Sequence, residues 1–404
     1  MPKVFKDKKL IDEFLERGVE AIYPSKEAFR KKLMSGERLK IYQGFDPTGP
    51  YLHVGHAMGI RALGILQKLG HEVIFLIGDY TAKVGDPDKD TTRKMLTDEE
   101  IEKNMSGWKK QASQLIDFGG ENPVRFERNY KWLSKLKLNN LIKLMSSITV
   151  QRMLERDMFE RRMKDGDPIR LHEFIYPLMQ GYDGVAMEVD MEIGGTDQTF
   201  NMLVGRDLIK SYLGKEKFVR TNKMMDAPDG RTMSKTKGNG INLADSPQDM
   251  FGKAMSYSDQ HILPGFELLT SVSMQEIEKM KLAMEKGENP MIFKKKMAYE
   301  IVKIIKGEKA AEAAQKHFEQ VFSKKELPTD IAEIKVFIGE SLIDVLVKNK
   351  LATSKADARR KVDQGGIKAD NEVIRDWQLK LDKSFDGKIL KAGKREFRKI
   401  KIVK

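Results

Sequence analysis

Four short segments carry side chains suited to binding and activating a polar small molecule. His53-Val54-Gly55-His56 follows the turn Asp46-Pro47-Thr48-Gly49-Pro50. At the start of a helix, residues three apart share a face, so both imidazoles can point one way. Gly55 leaves room for a flat ring against the backbone, and a helix N-terminus attracts polyphosphate. Two histidines at this spacing also suit a purely structural role. Arg231-Thr232-Met233-Ser234-Lys235-Thr236-Lys237-Gly238-Asn239 is a basic, hydroxyl-rich loop. Such a loop can close over phosphates and stabilise charge as it develops, or it can be an ordinary surface turn. Tyr176, Gln180 and Asp183 fall at i, i+4 and i+7, one polar stripe of a helix beside Phe174, Ile175, Leu178 and Met179. That stripe fits a pocket that hydrogen-bonds a polar amino acid, or else a satisfied structural network. Gly194-Gly195-Thr196-Asp197-Gln198 follows an apolar run, where bare backbone lets a nucleoside come close or simply turns the chain. No P-loop is present, because none of the four Gly-Lys pairs has the required glycine five residues earlier. A GxGxxG fingerprint is also missing.

The elements around these segments alternate. Residues 39–48 start as a strand and end in a Pro/Gly turn, Leu52 to Leu69 has helical spacing, and 71–80 is a continuous apolar strand. Strand, crossover helix and buried second strand predict a parallel sheet in an α/β domain. Ligands collect where such strands end. Residues from about 97 to 175 read as a mostly helical, charged excursion, and 185–195 as a returning strand. After about Ser246 the pattern is almost purely helical, with a polar linker at 323–330 and a small basic unit beyond it.

Length and composition limit the rest. With 404 residues there is room for several domains and an enzyme-sized core. No run of about 18 apolar residues is present to span a membrane, and MPKVFKDKKLIDEF lacks a signal-type apolar core. The chain has no cysteine, which excludes disulfides, thiolate catalysis and thiolate metal sites. The expectation is a cytoplasmic protein without zinc. Of the net charge of +13, residues 341–404 hold 18 Lys+Arg against 9 Asp+Glu, or +9, leaving +4 for the preceding 340. That local excess favours a phosphate-backbone partner, although a solvated basic tail would carry it too.

Together, HVGH near the start of the sheet and MSKT near its end resemble the paired signatures of class I aminoacyl-tRNA synthetases. YQGFDPTGPYLHVGH (42–56), GDYTAKVGDP (78–87), YPLMQGYDG (176–184) and IGGTDQTFN (193–201) narrow the resemblance to the tyrosyl-tRNA synthetases. The resemblance covers nearly the whole chain. It implies a Rossmann-like parallel-sheet catalytic domain over 1–245 with a helical insertion at about 97–175. An α-helical anticodon-binding-type domain would follow over 246–330, then a small α+β S4-type RNA-binding domain over 340–404. The implied reaction joins L-tyrosine to ATP as tyrosyl-adenylate with loss of pyrophosphate, then esterifies tRNA(Tyr). Mg²⁺ accompanies the ATP phosphates. A homodimer with the 97–175 region at its interface is the family's habit, and neither DNA nor membrane is an expected partner.

By the family pattern, Tyr42 and Asp183 hold the substrate phenol. Tyr176, Gln180 and Asp86 hold its ammonium with Thr81 nearby, and Gln198 lies near the reacting carboxylate. Gly44, Asp46, Gly55, His56, Gly195 and Asp197 lie along the nucleotide. Thr48 and His53 meet the pyrophosphate, joined from the loop by Met233, Ser234, Lys235 and Thr236. Arg359, Arg360 and Lys361, on a helix opened by Ser354-Lys355-Ala356-Asp357, are the expected RNA contacts. Two positions depart from the pattern: Thr232 stands where the signature loop usually begins with lysine, and Glu192 where many relatives have glutamine. Three other readings compete. A tryptophanyl-tRNA synthetase shares the architecture, an HxGH nucleotidyltransferase would need neither GGTDQ nor a basic C-terminal unit, and a non-catalytic tRNA-binding paralogue would tolerate Thr232.

Overall fold

The computed structural model describes residues 2–87, 95–228, 233, 240–323, 331–370, 372–393 and 396–403. The chain divides into two compact units, Met1–Lys316 and His317–Lys404.

The first unit is built on a six-stranded sheet in the order β1-β6-β5-β2-β3-β4. Its strands are β1 (Val19–Tyr23), β2 (Lys40–Phe45), β3 (Glu72–Ile77), β4 (Arg125–Arg128), β5 (Met191–Gly195) and β6 (Phe218–Asn222). β1 runs antiparallel to β6, and all other neighbours are parallel. β2 and β3 bury almost every side chain, as strands covered by helices on both faces must. The helix Val54–Lys68 crosses between them and buries Val54, Ala57, Ile60, Leu63 and Leu66. From β2 the chain winds outward through β3 to β4, then returns to β5 on the other side. The crevice between β2 and β5 is therefore the reversal point at which α/β sheets gather ligands. The two strands pair only at Ile41–Met191 and Tyr42–Glu192 and then part.

The excursion expected to be mostly helical does hold the helices Asp98–Met105, Leu138–Met145 and Asp157–Asp165. It also carries β4, whose sequence RFER is short and charged and gives no apolar strand signal. From Pro247 onward the unit is helical. The helix Pro290–Lys306 buries Phe293, Met297, Ile301 and Ile305.

The second unit has a five-stranded sheet in the order β7-β11-β10-β8-β9. These are β7 (Glu333–Phe337), β8 (Ile367–Ala369), β9 (Glu372–Val373), β10 (Ile389–Ala392) and β11 (Glu396–Val403). Val336, Leu346, Val362, Ile367 and Leu390 form its core with the helices Leu342–Lys348 and Lys355–Asp363. Ser354 caps the second helix as its sequence predicts, accepting from Asp357 N at 3.1 Å. Most of the expected linker, 324–330, lies outside the described residues.

Candidate active site

The crevice between β2 and β5 is lined from three directions. β2 supplies Tyr42 and Gly44 and leads into Asp46. β5 supplies Glu192 and ends in Gly194-Gly195, beyond which Asp197 and Gln198 follow. The helix Tyr176–Met187, with Pro177 in its first turn, turns Tyr176, Gln180 and Asp183 inward. Tyr176 and Asp183 are buried, Gln180 is half-buried, and Gly44 and Asp197 are exposed.

At one end, Asp46 is gripped from two sides. Thr81 Oγ1 donates to its Oδ1 at 2.7 Å and the Tyr176 hydroxyl donates to its Oδ2 at 2.9 Å. The close approach depends on Gly78, where a Cβ would stand 2.0 Å from Asp46 Oδ1. Deeper in, Asp183 accepts from Trp132 Nε1 at 2.7 Å and from Asn129 Nδ2 at 3.1 Å. Asn129 Nδ2 also reaches Thr81 Oγ1 at 3.0 Å, while its Oδ1 accepts from Tyr80 N at 2.9 Å. Burial pushes the Asp183 carboxyl well above the usual carboxylate range, against the pull of its two donors. Tyr42 is fully buried, and its hydroxyl donates to the Gln180 carbonyl at 3.5 Å. Burial, then the charges of Glu192 and Asp183, push its phenol up, so Tyr42 remains a hydrogen-bond donor.

A second network fixes the amide side chains. Gln180 donates from Nε2 to Glu192 Oε1 and accepts at Oε1 from Asn201 Nδ2, both at 3.0 Å. The other Glu192 oxygen is held by Lys217, whose ammonium is completely buried and also reaches the Met202 carbonyl at 3.3 Å. The Glu192 departure thus comes with a matching cation 25 residues later. Gln198 donates to Asp86 Oδ2 at 2.6 Å and accepts from Asn201 at 3.0 Å. Asp86 also receives Arg156 Nη2 at 2.7 Å, so both carboxylate oxygens are engaged within the protein.

At the other end, His53 caps the helix Val54–Lys68. Its backbone N–H donates to His56 Nδ1 at 3.1 Å, and the two rings lie 3.7 Å apart. The turn leading here is braced by Asn104, which donates to the Pro47 carbonyl, and by Gln111, which bonds Leu52 N and the Pro50 carbonyl. Half-buried Thr48 sits within it, its N–H bonded to the Asp46 carbonyl. At Gly55 a Cβ would lie 2.9 Å from His53 Nδ1, and at Gly240 one would lie 3.3 Å from His53 Cβ. Met233 is buried against this corner, its Cε 3.9 Å from the Gly55 Cβ position. Hence one residue of the signature loop meets the HVGH motif. Thr232, Ser234, Lys235 and Thr236 lie outside the described residues.

The crevice thus gathers Tyr42, Asp46, Thr81, Asp86, Tyr176, Gln180, Asp183 and Gln198 into connected hydrogen-bond networks. Sequence reasoning missed Asn129, Trp132, Arg156, Asn201 and Lys217, which hold those residues in place. In the second unit, Arg359 lies over the Trp377 ring at 4.5 Å. Arg360 and Lys361 both pair with Asp357, at 2.6 and 3.1 Å.

The model of the family described as tRNA synthetases class I (W and Y) matches residues 34–323. That of the tyrosine–tRNA ligase SYY-like C-terminal domain matches 317–400. The chain is 42% identical to the tyrosine–tRNA ligase of Carboxydothermus hydrogenoformans, over 96% of this chain and 97% of that protein. It is 40% identical to that of Thermotoga maritima, over 93% and 94%. Among solved structures, a C-terminally truncated mitochondrial tyrosyl-tRNA synthetase from Coccidioides posadasii superposes with a TM-score of 0.61 at 25% identity. It covers 76% of this chain and 91% of that one. A tyrosyl-tRNA synthetase from Archaeoglobus fulgidus, complexed with L-tyrosine, shares the fold with a TM-score of 0.58 at 21% identity, over 76% and 99%.

Proposed function

The chain belongs to the class I tRNA synthetases of the W and Y family, and on that premise we propose that it is a tyrosine–tRNA ligase. The tyrosine carboxylate attacks the α-phosphorus of ATP, the bond to the β-phosphate oxygen breaks, and pyrophosphate leaves. A 2′- or 3′-hydroxyl at the tRNA 3′ end then attacks the tyrosyl carbonyl carbon, and AMP departs. Catalysis is positioning plus stabilisation of charge, with no covalent enzyme intermediate.

The observation that carries the tyrosine reading is the buried pair Tyr42 and Asp183 at the floor of the crevice. A phenol entering there meets a hydrogen-bonding hydroxyl and a carboxyl already oriented by Trp132 and Asn129. Phenylalanine leaves both polar groups desolvated. A site built this way rejects the hydroxyl-free analogue by about 10⁴–10⁵, a magnitude measured on this enzyme family and not worked from this structure.

The remaining roles follow from placement. Tyr176 and Gln180 receive the ammonium. Asp86 acts through Gln198, because its own oxygens hold Gln198 and Arg156. Gln198 faces the reacting carboxylate, Asp197 takes the ribose at the exposed rim, and Gly44, Asp46 and Gly195 line the adenylate. Thr48, His53 and His56 meet the phosphates at the helix N-terminus, and Ser234, Lys235 and Thr236 approach them from the signature loop. Mg²⁺ arrives as the counter-ion of ATP. The described residues include no group of three or more His, Cys, Asp or Glu placed to cage it.

Adenylate formation belongs to 1–245, with 246–330 and 340–404 serving the tRNA, where Arg359, Arg360 and Lys361 contact the RNA. A homodimer is supported by the exposed Leu138, Ile142 and Met145, an apolar stripe on the helix Leu138–Met145, and by nearby Val150 in sequence. The cytoplasm, where tRNA is charged, is the inferred location; no described helix is long and apolar enough to cross a membrane. The test is a two-stage mixing experiment. Labelled tyrosine and ATP should give one enzyme-bound adenylate per site, discharged when tRNA(Tyr) is added. Failure to form adenylate, or transfer to no tRNA, would refute the proposal.

A further inference from the structure

The helix that begins beside His53 carries Arg61 into a second cavity, of about 30 Å³, none of whose lining residues belongs to the crevice. Three arginines converge on it: Arg17 from the helix Lys8–Glu16 C-terminus, Arg61, and Arg220 from β6. The helix Ile262–Leu269 closes it with Glu267 and Leu268.

The charges around this cavity do not balance. Arg17 is consumed as a cap, donating to the carbonyls of Phe266, Glu267, Thr270 and Val272. Glu267 is taken by Lys223 at 2.9 Å and by Gly18 N at 3.3 Å. Glu13 stands 3.8 Å from both Arg17 and Arg61, longer than a hydrogen bond. Arg220 is only 4% exposed. It lies 4.7 Å over the Phe14 ring and donates from Nη2 to the Arg17 carbonyl, yet its Nε and Nη1 find no acceptor among the described residues. Three guanidiniums thus line the cavity against two carboxylates, and one of those carboxylates is already held by Lys223. Burial and the neighbouring Arg61 pull the Arg220 guanidinium down to about 9, and burial brings Arg61 to about 10. Both shifts mark cations short of counter-charge.

We propose that this cavity is a binding site for a small inorganic anion of halide size, held between Arg61 and Arg220. The space between the two guanidiniums has room for a monatomic ion. Buried guanidinium donors supply both charge and direction. The anion neutralises the excess and ties the helix Val54–Lys68 to β6 and to the helix Ile262–Leu269. It thereby fixes the framework on which His53 and His56 stand.

The test uses the full chain and two probes. In thermal unfolding, replacing gluconate by chloride at fixed ionic strength raises Tm saturably, by about 2–4 °C. The rise is lost in Arg220→Met. Should that variant not fold, Arg61→Gln, at a side chain 14% exposed, must lose it as well. Glu13→Gln removes the competing carboxylate and enlarges the rise. Crystals soaked in bromide show an anomalous peak in the cavity, within hydrogen-bond distance of the Arg61 or Arg220 guanidinium. Equal Tm in the two salts, a chloride effect that survives both arginine substitutions, or bromide absent from the cavity would each overturn the assignment.

Discussion

Replacing Lys217 by methionine isolates a buried charge pair behind the amino-acid pocket. The Lys217 ammonium is fully buried and the Glu192 side chain 3% exposed, so the substitution strands a carboxylate in a dry site. Removing one partner of a buried pair costs about 3–5 kcal/mol, whereas replacing both by neutral groups of similar size is close to neutral. At about 2–4 °C per kcal/mol for a unit of this size, Lys217→Met lowers Tm by roughly 6–20 °C. The double variant Lys217→Met/Glu192→Gln recovers most of that. The functional effect runs through Gln180, whose amide is oriented by Glu192 on one side and Asn201 on the other. The single variant therefore raises the tyrosine KM in pyrophosphate exchange by about tenfold, roughly the worth of one charge-assisted hydrogen bond. The ATP KM stays unchanged, and the double variant restores the tyrosine KM. Single and double variants of equal stability would refute the pairing. A normal tyrosine KM in a destabilised Lys217→Met would refute the link to Gln180.

Other substitutions probe separate parts. Asp183→Asn turns an amide N–H₂ toward one of its two donors, Trp132 or Asn129; tyrosine kcat/KM falls by about 10²-fold or more, with ATP binding spared, as steady-state exchange would register. His71 is buried and accepts from Leu39 N at 3.2 Å, and burial together with Arg38 lowers its pKa to about 4. Because the folded value lies below the unfolded one, its contribution of about 3 kcal/mol is present above pH 6.5 and lost as pH falls toward 4. In His71→Asn, that part of the acid-induced loss, followed by denaturant unfolding, should disappear. A chain ending near residue 330 keeps tyrosine-dependent exchange within about twofold but loses roughly 10²-fold in tRNA charging, from the missing phosphate contacts. Equal loss of both activities would contradict that division.

Legibility in the sequence followed the distance between partners. Tyr176, Gln180 and Asp183 were readable because helical spacing alone aligns them, and His53 with His56 because a Pro/Gly turn precedes a helix start. Asp183's partners Trp132 and Asn129 lie 51 and 54 residues away, and the partner of Asp86, Arg156, lies 70 away. No local pattern joins such pairs; they meet only once β4 has brought residues 129–132 beside β3. Glu192 was visible as an oddity, but Lys217 in a Lys-rich turn looked like any surface lysine. β4 escaped because four residues with alternating charge carry no apolar signal. In the C-terminal unit the helix and its cap were legible. That Asp357 also pairs with Arg360 and Lys361 was not, since at three and four residues' spacing a solvated arrangement was equally open.

Pyrophosphate exchange with the purified full chain, one amino acid at a time and without tRNA, tests the central claim most directly. Rapid exchange with tyrosine, and slower exchange with phenylalanine and tryptophan by several orders of magnitude, is the result that the buried Tyr42–Asp183 pair predicts. Exchange driven best by tryptophan would contradict the phenol-reading pocket, and folded protein that exchanges with no amino acid would contradict the activation chemistry itself.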